Sequence, residues 1–268
     1  MIGFPRRHRS SHLGPYPLET LARDAGIVAV ESERSPMIVA SKLPPPLKSL
    51  GCAARRYQDV FANLRAPDPV AVKAPVPDDL ERRAIDIKGG CYFLDASMVG
   101  ICVLPPNAWL QGKPLKEHRY AIAVLVEYGR FPEADNLAAG WLEGVEADVT
   151  TTRAAEIATI IAGYISQLGF SASSHWPGQS DVDIDRIGVL AGVVLRDGEV
   201  PLNPFVGRRY ALAAVTTDYV LAVDQPLAQR ARPAMGLGYL FGSSGAVSGL
   251  ERWRRARRAS HLGIYPME

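Results

Sequence analysis

Tyr120-Ala-Ile-Ala-Val-Leu-Val126 contains no charged side chain and is built from aliphatic residues behind one aromatic. A short apolar run of this kind reads as a strand buried on both faces. A second run, Met98–Leu104, is closed by Pro105-Pro106 and reads the same way. Between Pro77 and that run a helix is predicted, with Asp78 as N-cap and Glu81 three residues later completing a capping box. Its apolar stripe is Leu80, Ala84, Ile87, Cys91 and Leu94. On the other side of the opening stretch, Thr152–Leu168 is the clearest helix of the chain. Ile157, Ile160, Ile161, Tyr164, Ile165 and Leu168 recur at helical spacing, and Gly169 is placed to cap them. Phe170–His175 then reads as a strand. Val182–Leu190 reads as a helix, with Asp181 or Asp183 near its start and Gly192 after its end, and Tyr210–Thr216 reads as a strand. Helices and strands mixed in this order predict a layered α/β or α+β domain.

The flanks differ in composition. Eleven prolines between Pro5 and Pro77 argue against long helices and central strands there, because proline removes a backbone donor and fixes φ. One helix is expected in that region, around Cys52–Leu64, where Tyr57, Val60, Phe61 and Leu64 fall at helical spacing. After Pro226 the glycines Gly236, Gly238, Gly242, Gly245 and Gly249 mark a loosened segment. The division that follows is an extended proline-rich wrap (1–77), a core (78–230) and a Gly/Arg-rich junction (231–268). The junction ends on a repeat: Ser260–Glu268 matches Ser11–Glu19 at seven of nine positions. Two copies a domain length apart read as the start of one unit and the start of a second, so the chain is expected to be part of something larger.

The 268 residues are 47% hydrophobic and 22% charged, ordinary values for a globular protein with a full core. No apolar run reaches the ~18 residues of a membrane helix, so no membrane partner is expected. Arg6-Arg7 is followed by Arg9 rather than an apolar stretch, which argues against export. Three cysteines, Cys52, Cys91 and Cys102, make no disulfide framework and suit a reducing cytoplasm. The net charge is +2, yet Arg252, Arg254, Arg255, Arg257 and Arg258 crowd together. No aromatic platform or reading motif accompanies them, so nucleic acid is not the expected partner.

Few constellations suggest chemistry. No Cys-x-x-Cys pair is present, and Cys91 and Cys102 fall in apolar patterns as small core residues. The five histidines are far apart in sequence and make no metal site, and only His175, at a strand end before Trp176-Pro177-Gly178, is expected inside the body. Asp181, Asp183 and Asp185 alternate as in a calcium loop, but the Gly and Glu of such a loop are missing, and a helix start explains them better. The glycines from Gly236 to Gly245 lack both a Rossmann context and the Lys-Ser/Thr of a P-loop. Tyr128 follows the strongest strand. A tyrosine there is a candidate proton donor if a neighbouring cation lowers its pKa, and Arg208-Arg209 can supply the charge. Tyr128 and Arg208 are therefore the candidate catalytic residues, against the plainer reading of an amphipathic tyrosine at a sheet edge.

Several segments in order resemble the cobalamin-dependent reductive dehalogenases. They are Ile87-Lys88, Leu94-Asp95-Ala96, Met98–Cys102, Tyr120–Glu127, Gln167–Phe170, Asn203–Arg209 and Thr216–Leu221, with His12–Glu19 similar to the opening of the soluble members. The resemblance implies a nitroreductase-like α+β core that holds a corrinoid, followed by a ferredoxin-like domain with two 4Fe-4S clusters. In the soluble members a degenerate, cobalamin-free duplicate precedes the catalytic core, and this chain resembles that duplicate. The cluster cysteines are absent. The family's glycine-rich loop appears as Ala191–Gly198 without its glycine pattern. Tyr128 falls near the family's proton-donating tyrosine, but Gly129-Arg130 follows it. The expectation is a non-catalytic module with no cofactor of its own. Its partner would be a catalytic core bearing cobalamin and two 4Fe-4S clusters. The alternatives are a stand-alone corrinoid-binding or nitroreductase-like redox protein, and a structural homodimer of this chain.

Overall fold

The computed structural model describes residues 10–36, 49–113, 115–130, 132, 135–136, 139–142, 144–198, 200–229 and 231. The arginine cluster, the glycine-rich segment after Pro226 and the closing repeat lie outside these residues. Helices are α1 (Gly26–Glu33), α2 (Leu50–Ala62), α3 (Leu80–Phe93), α4 (Ala139–Leu142), α5 (Glu146–Gln167) and α6 (Ile184–Leu190). Strands are β1 (Met98–Val103), β2 (Tyr120–Glu127), β3 (Ala172–His175) and β4 (Tyr210–Thr217). All strand pairs are antiparallel, in the order β1-β2-β4-β3. The class is α+β. Among the described residues no helix is long and apolar enough to cross a membrane.

Side-chain alternation divides the sheet into two buried faces. Val99, Ile101, Ile122, Val124, Val126, Ala213 and Val215 face α3 and α5. Met98, Cys102, Ala121, Ala123, Leu125, Leu212 and Ala214 face α6, the turn after it and residues Tyr16, Leu18 and Leu21. Both faces being covered explains why β2 and β4 read as continuous apolar runs rather than alternating ones.

The layers approach closely at one point. A Cβ on Gly100 in β1 would lie 2.1 Å from the carbonyl oxygen of Ala191 and 2.8 Å from the Val193 side chain. Only glycine lets this turn lie on the strand. The turn itself passes through Gly192, with φ +65°, where a Cβ would meet Arg23 and the Gln225 carbonyl. Arg23 donates to the carbonyls of Gly192 (3.0 Å), Gln225 (2.7 Å) and Leu18 (3.0 Å), so one guanidinium ties three distant segments together.

The edges of the sheet are closed by side chains and loops. Asp224 accepts from the Ile101 amide at 2.8 Å and from Lys88 Nζ at 2.7 Å, while its own amide donates to the Ile101 carbonyl. This covers β1. The Ser174 amide donates to the Arg65 carbonyl at 2.7 Å, which covers β3. Edge strands left open are templates for aggregation, so these contacts have a protective role as well as a stabilising one.

Several expectations need correction. The region before Pro77 contains α1 as well as α2. Buried Glu31 anchors α1, taking Arg196 through two hydrogen bonds of 3.0 and 2.7 Å, and Asn107 Nδ2 donates to the carbonyls of Glu31, Ser32 and Arg34. The N-cap of α3 is Asp79, not Asp78; its carboxylate accepts from the Glu81 amide at 3.0 Å. Helix α5 starts at Glu146, well before Thr152, because α2 supports its first turns: Arg55 pairs with Asp148 at 2.9 Å and Gln58 donates to Thr152 at 2.9 Å. Its buried stripe consists of Ala154, Ala155, Ile157, Ala158, Ile161, Ala162 and Ile165, whereas Ile160 and Tyr164 are 46% and 49% exposed. Alanines let α5 lie close on the sheet, and this displaces the face predicted from isoleucine spacing. Strand β3 starts at Ala172 and α6 at Ile184, both two residues later than predicted.

Two glycine substitutions separate packing from propensity. Gly100→Ala is expected to destabilise by about 1–3 kcal/mol through overpacking. Gly89→Ala, in α3 with nothing near the added methyl, is expected to stabilise by up to about 1 kcal/mol. Urea unfolding of both variants checks this; equal effects would contradict the close-contact account.

Candidate functional site

The face of the sheet that carries Leu212 and Ala214 turns polar at β3. In β3, Ser173 and His175 point to this face, opposite Thr216 and Ala214 of β4. His118, just before β2, also reaches Thr216. Both imidazoles meet the same hydroxyl: His118 Nδ1 lies 2.8 Å and His175 Nε2 2.9 Å from Thr216 Oγ1. His175 and Thr216 are fully buried, and His118 is nearly so.

One backbone amide fixes the protons of this chain. The Asp181 N–H donates to His175 Nδ1 at 3.3 Å. That nitrogen must therefore be bare, and the proton of a neutral ring sits on Nε2. His175 Nε2–H then donates to Thr216 Oγ1. The Thr216 hydroxyl passes its own proton to His118 Nδ1, and His118 Nε2–H donates to Ser171 Oγ at 2.8 Å. Every group is satisfied with both rings neutral. The electrostatics agree. Burial, then Lys116, pushes the His118 pKa down to about 4, with Asp218 opposing. His175 is held well below its ordinary value by burial and by Arg65, Lys116 and His118.

Cations surround the relay. Arg65 pairs closely with Asp181, and Lys113 Nζ lies 3.5 Å from the same carboxylate. Lys116 Nζ donates to Ser173 Oγ at 2.7 Å. Sequence reading singled out His175 and Asp181 but did not join them to His118, Thr216, Arg65 or Lys116. A signal was available: Ser-Ser-His within a strand read as buried requires polar partners.

The candidates Tyr128 and Arg208 sit at the opposite end of β2. Tyr128 is half-buried, and its amide donates to the Arg209 carbonyl at 3.0 Å. Arg209, not Arg208, lies over its ring, 5.8 Å from the centroid. Arg208 is turned away to Asp197, at 3.0 Å on the surface. Arg209 is also held by Glu146 at 2.9 Å. The Tyr128 pKa is raised, first by burial and then by Glu146, with Arg209 opposing. Such a phenol is a weaker acid than free tyrosine.

Asp183 caps α6 by accepting from the Arg186 amide at 2.9 Å, while Asp181 serves Arg65 and Lys113. These acids point to different partners, and among the described residues no group of three His, Cys, Asp or Glu could hold a metal ion. Cys91 and Cys102 are buried on opposite faces of the sheet. Burial raises the Cys91 thiol pKa to about 12 and pushes Cys102 up as well. Asn203-Pro204-Phe205-Val206-Gly207 forms a turn anchored by buried Asn203, with the other four residues partly buried. Asn203 Oδ1 accepts from the amides of Phe205 and Val206, and its Nδ2 donates to the Val193 carbonyl at 2.7 Å.

No family model matches this chain, and no curated protein matches it. Solved structures do. The catabolic reductive dehalogenase NpRdhA, in complex with 3-bromo-4-hydroxybenzoic acid, is 35% identical with a TM-score of 0.77, over 98% of this chain and 37% of that one. A reductive dehalogenase whose structure suggests a mechanism for B12-dependent dehalogenation is 37% identical with a TM-score of 0.71, over 82% of this chain and 30% of that one. The chain is related to the reductive dehalogenases and spans about a third of the length of these solved chains.

The relay makes a pH prediction. Both histidines are neutral when folded and titrate near 6.5 when unfolded, so the unfolded state binds more protons as pH falls. Stability is expected to be full above pH 6.5 and to decline toward pH 4, with His118 alone contributing a loss on the order of 3 kcal/mol. Thr216→Val, which leaves two buried ring nitrogens without their partner, is expected to cost about 1–3 kcal/mol at neutral pH. Denaturant melts across this range check both; a flat acid limb would contradict the neutral relay.

Proposed function

We propose, from its relation to the reductive dehalogenases, that this chain is a non-catalytic module of a cobalamin- and iron–sulfur-dependent enzyme that removes halide from organohalides. In this reading the module packs against a catalytic part that holds the corrinoid and two 4Fe-4S clusters. The layering is the nitroreductase-like one, with residues 1–77 as a wrap, 78–230 as the core and 231–268 as a junction.

The observation that carries the reading is the fate of the segment Ala191–Gly198. It stands for the family's glycine-rich loop without the glycine pattern, and its first five residues, Ala191–Leu195, are buried in the hydrophobic core. Val193 and Val194 are fully buried, and the Ala191 carbonyl rests on Gly100 of β1. Backbone and valines fill the space over the strand, so these residues do not fit a corrinoid cradle. The cysteines do not fit a cluster either, because Cys91 and Cys102 are separated by the sheet itself. Tyr128, with its raised pKa and a cation already held by Glu146, is poorly suited to donate a proton. Dehalogenation chemistry belongs to the cofactor, and a chain that does not hold the cofactor contributes shape and packing.

The test is anaerobic reconstitution of the purified chain with iron, sulfide and cobalamin, followed by assay with a reduced dye and 3-bromo-4-hydroxybenzoic acid. The expected result is neither cluster absorbance nor bromide release. Bromide release by the chain alone would overturn the proposal.

A further inference from the structure

Helix α2 is turned inside out. Its buried residues are Gly51 and Gln58. A Cβ on Gly51 would lie 2.9 Å from Asp148 Oδ2, and Gln58 donates to the Asp148 carbonyl at 3.2 Å and to Thr152 Oγ1 at 2.9 Å. With the Arg55–Asp148 pair added, α2 sits on α5 through polar groups and a glycine. Its apolar residues are left outside. Leu50 is 41% exposed, Tyr57 63%, Val60 55% and Leu64, in the turn that continues the helix, 57%. Ala53 is exposed between them. Of the residues Tyr57, Val60, Phe61 and Leu64 that helical spacing picks out, only Phe61 packs against the core.

Leu50, Ala53, Tyr57, Val60 and Leu64 follow one another at steps of three and four residues. That is the spacing by which one helix interlocks with another, and it keeps the row straight over the ~20 Å of α2. Apolar residues scattered singly on a surface mean little, but a continuous row rimmed by polar side chains marks a contact surface. Among the described residues none covers it. The row is also complementary to itself. Two copies of α2 laid antiparallel about a two-fold axis between Gln58 and Asp59 set Ala53 opposite Leu64 and Tyr57 opposite Val60, each smaller side chain against a larger one. The same arrangement brings exposed Arg56 of one copy to the same edge as exposed Asp59 of the other and nearly level with it, so opposite charges meet twice at the rim.

We propose that this outer face of α2 is a self-association surface, through which two copies of the chain pair by antiparallel α2 helices. The apolar row forms the dry centre of the contact, and Arg56 and Asp59 fix its direction. A lone seam of one short helix buries less than the ~1,200 Å² at which stable complexes begin. The pairing is therefore weak and concentration-dependent. It rests on α2 alone and stands whether or not the chain is a module of a dehalogenase.

Sedimentation velocity of the full chain from about 1 μM to about 1 mM tests the proposal. A reversible monomer–dimer equilibrium is expected within that range. Val60→Glu and Leu64→Glu each place a charge on a residue exposed in the monomer. Both should keep the parent Tm at low concentration and raise the dimer dissociation constant by about tenfold or more. Arg56→Asp is expected to weaken the dimer severalfold, and adding Asp59→Arg to restore it, as only the antiparallel pairing requires. Amide shifts that grow with concentration at Ala53, Tyr57, Val60 and Leu64 locate the contact in the unmodified chain. A chain monomeric throughout, a dimer that Val60→Glu and Leu64→Glu leave intact, a double variant no tighter than Arg56→Asp, or shifts confined to other regions would overturn it.

Discussion

A bare backbone contact governs this fold: Gly100 lies beneath the carbonyl of Ala191. The turn after α6 can sit on β1 only because the strand has no side chain there. That approach buries Val193 and Val194, seats Met98 against Asn203 and brings Gly192 within reach of Arg23. Arg23 then holds the opening segment and the stretch after β4 to the same turn. A methyl group at residue 100 would press on every one of these contacts at once.

The elements legible in the sequence were those whose signal is local. Tyr120–Val126 and Met98–Leu104 announce buried strands because both faces of the sheet are covered, and the structure places β2 and β1 there. Cys91 and Cys102 read as core residues and are buried. What sequence missed depends on contacts between distant segments. Helix α1 lies between Pro17 and Pro36, where no proline intervenes, and a proline-rich average concealed it. It is held by Glu31 against Arg196, which no periodicity reveals. The first turn of α5 rests on α2 in the same way.

The polar site follows that rule. His118, His175 and Thr216 lie on separate elements and meet because antiparallel pairing sets Ser173 opposite Thr216. Sequence distance hid the pair of histidines, and one backbone amide decides where their protons go. Tyr128 and Arg208 illustrate the reverse: closeness in pattern did not bring them together, since the ring faces Arg209 and Arg208 pairs with Asp197.

The Ala191 carbonyl and Val193 lie directly on Gly100 of β1, and in the proposed reading this packing leaves the chain without a corrinoid. Titration of the purified chain with cobalamin, followed by its visible spectrum, tests this most directly. The account predicts a spectrum identical to that of free cobalamin at every protein concentration. A saturable band shift at one equivalent would contradict it.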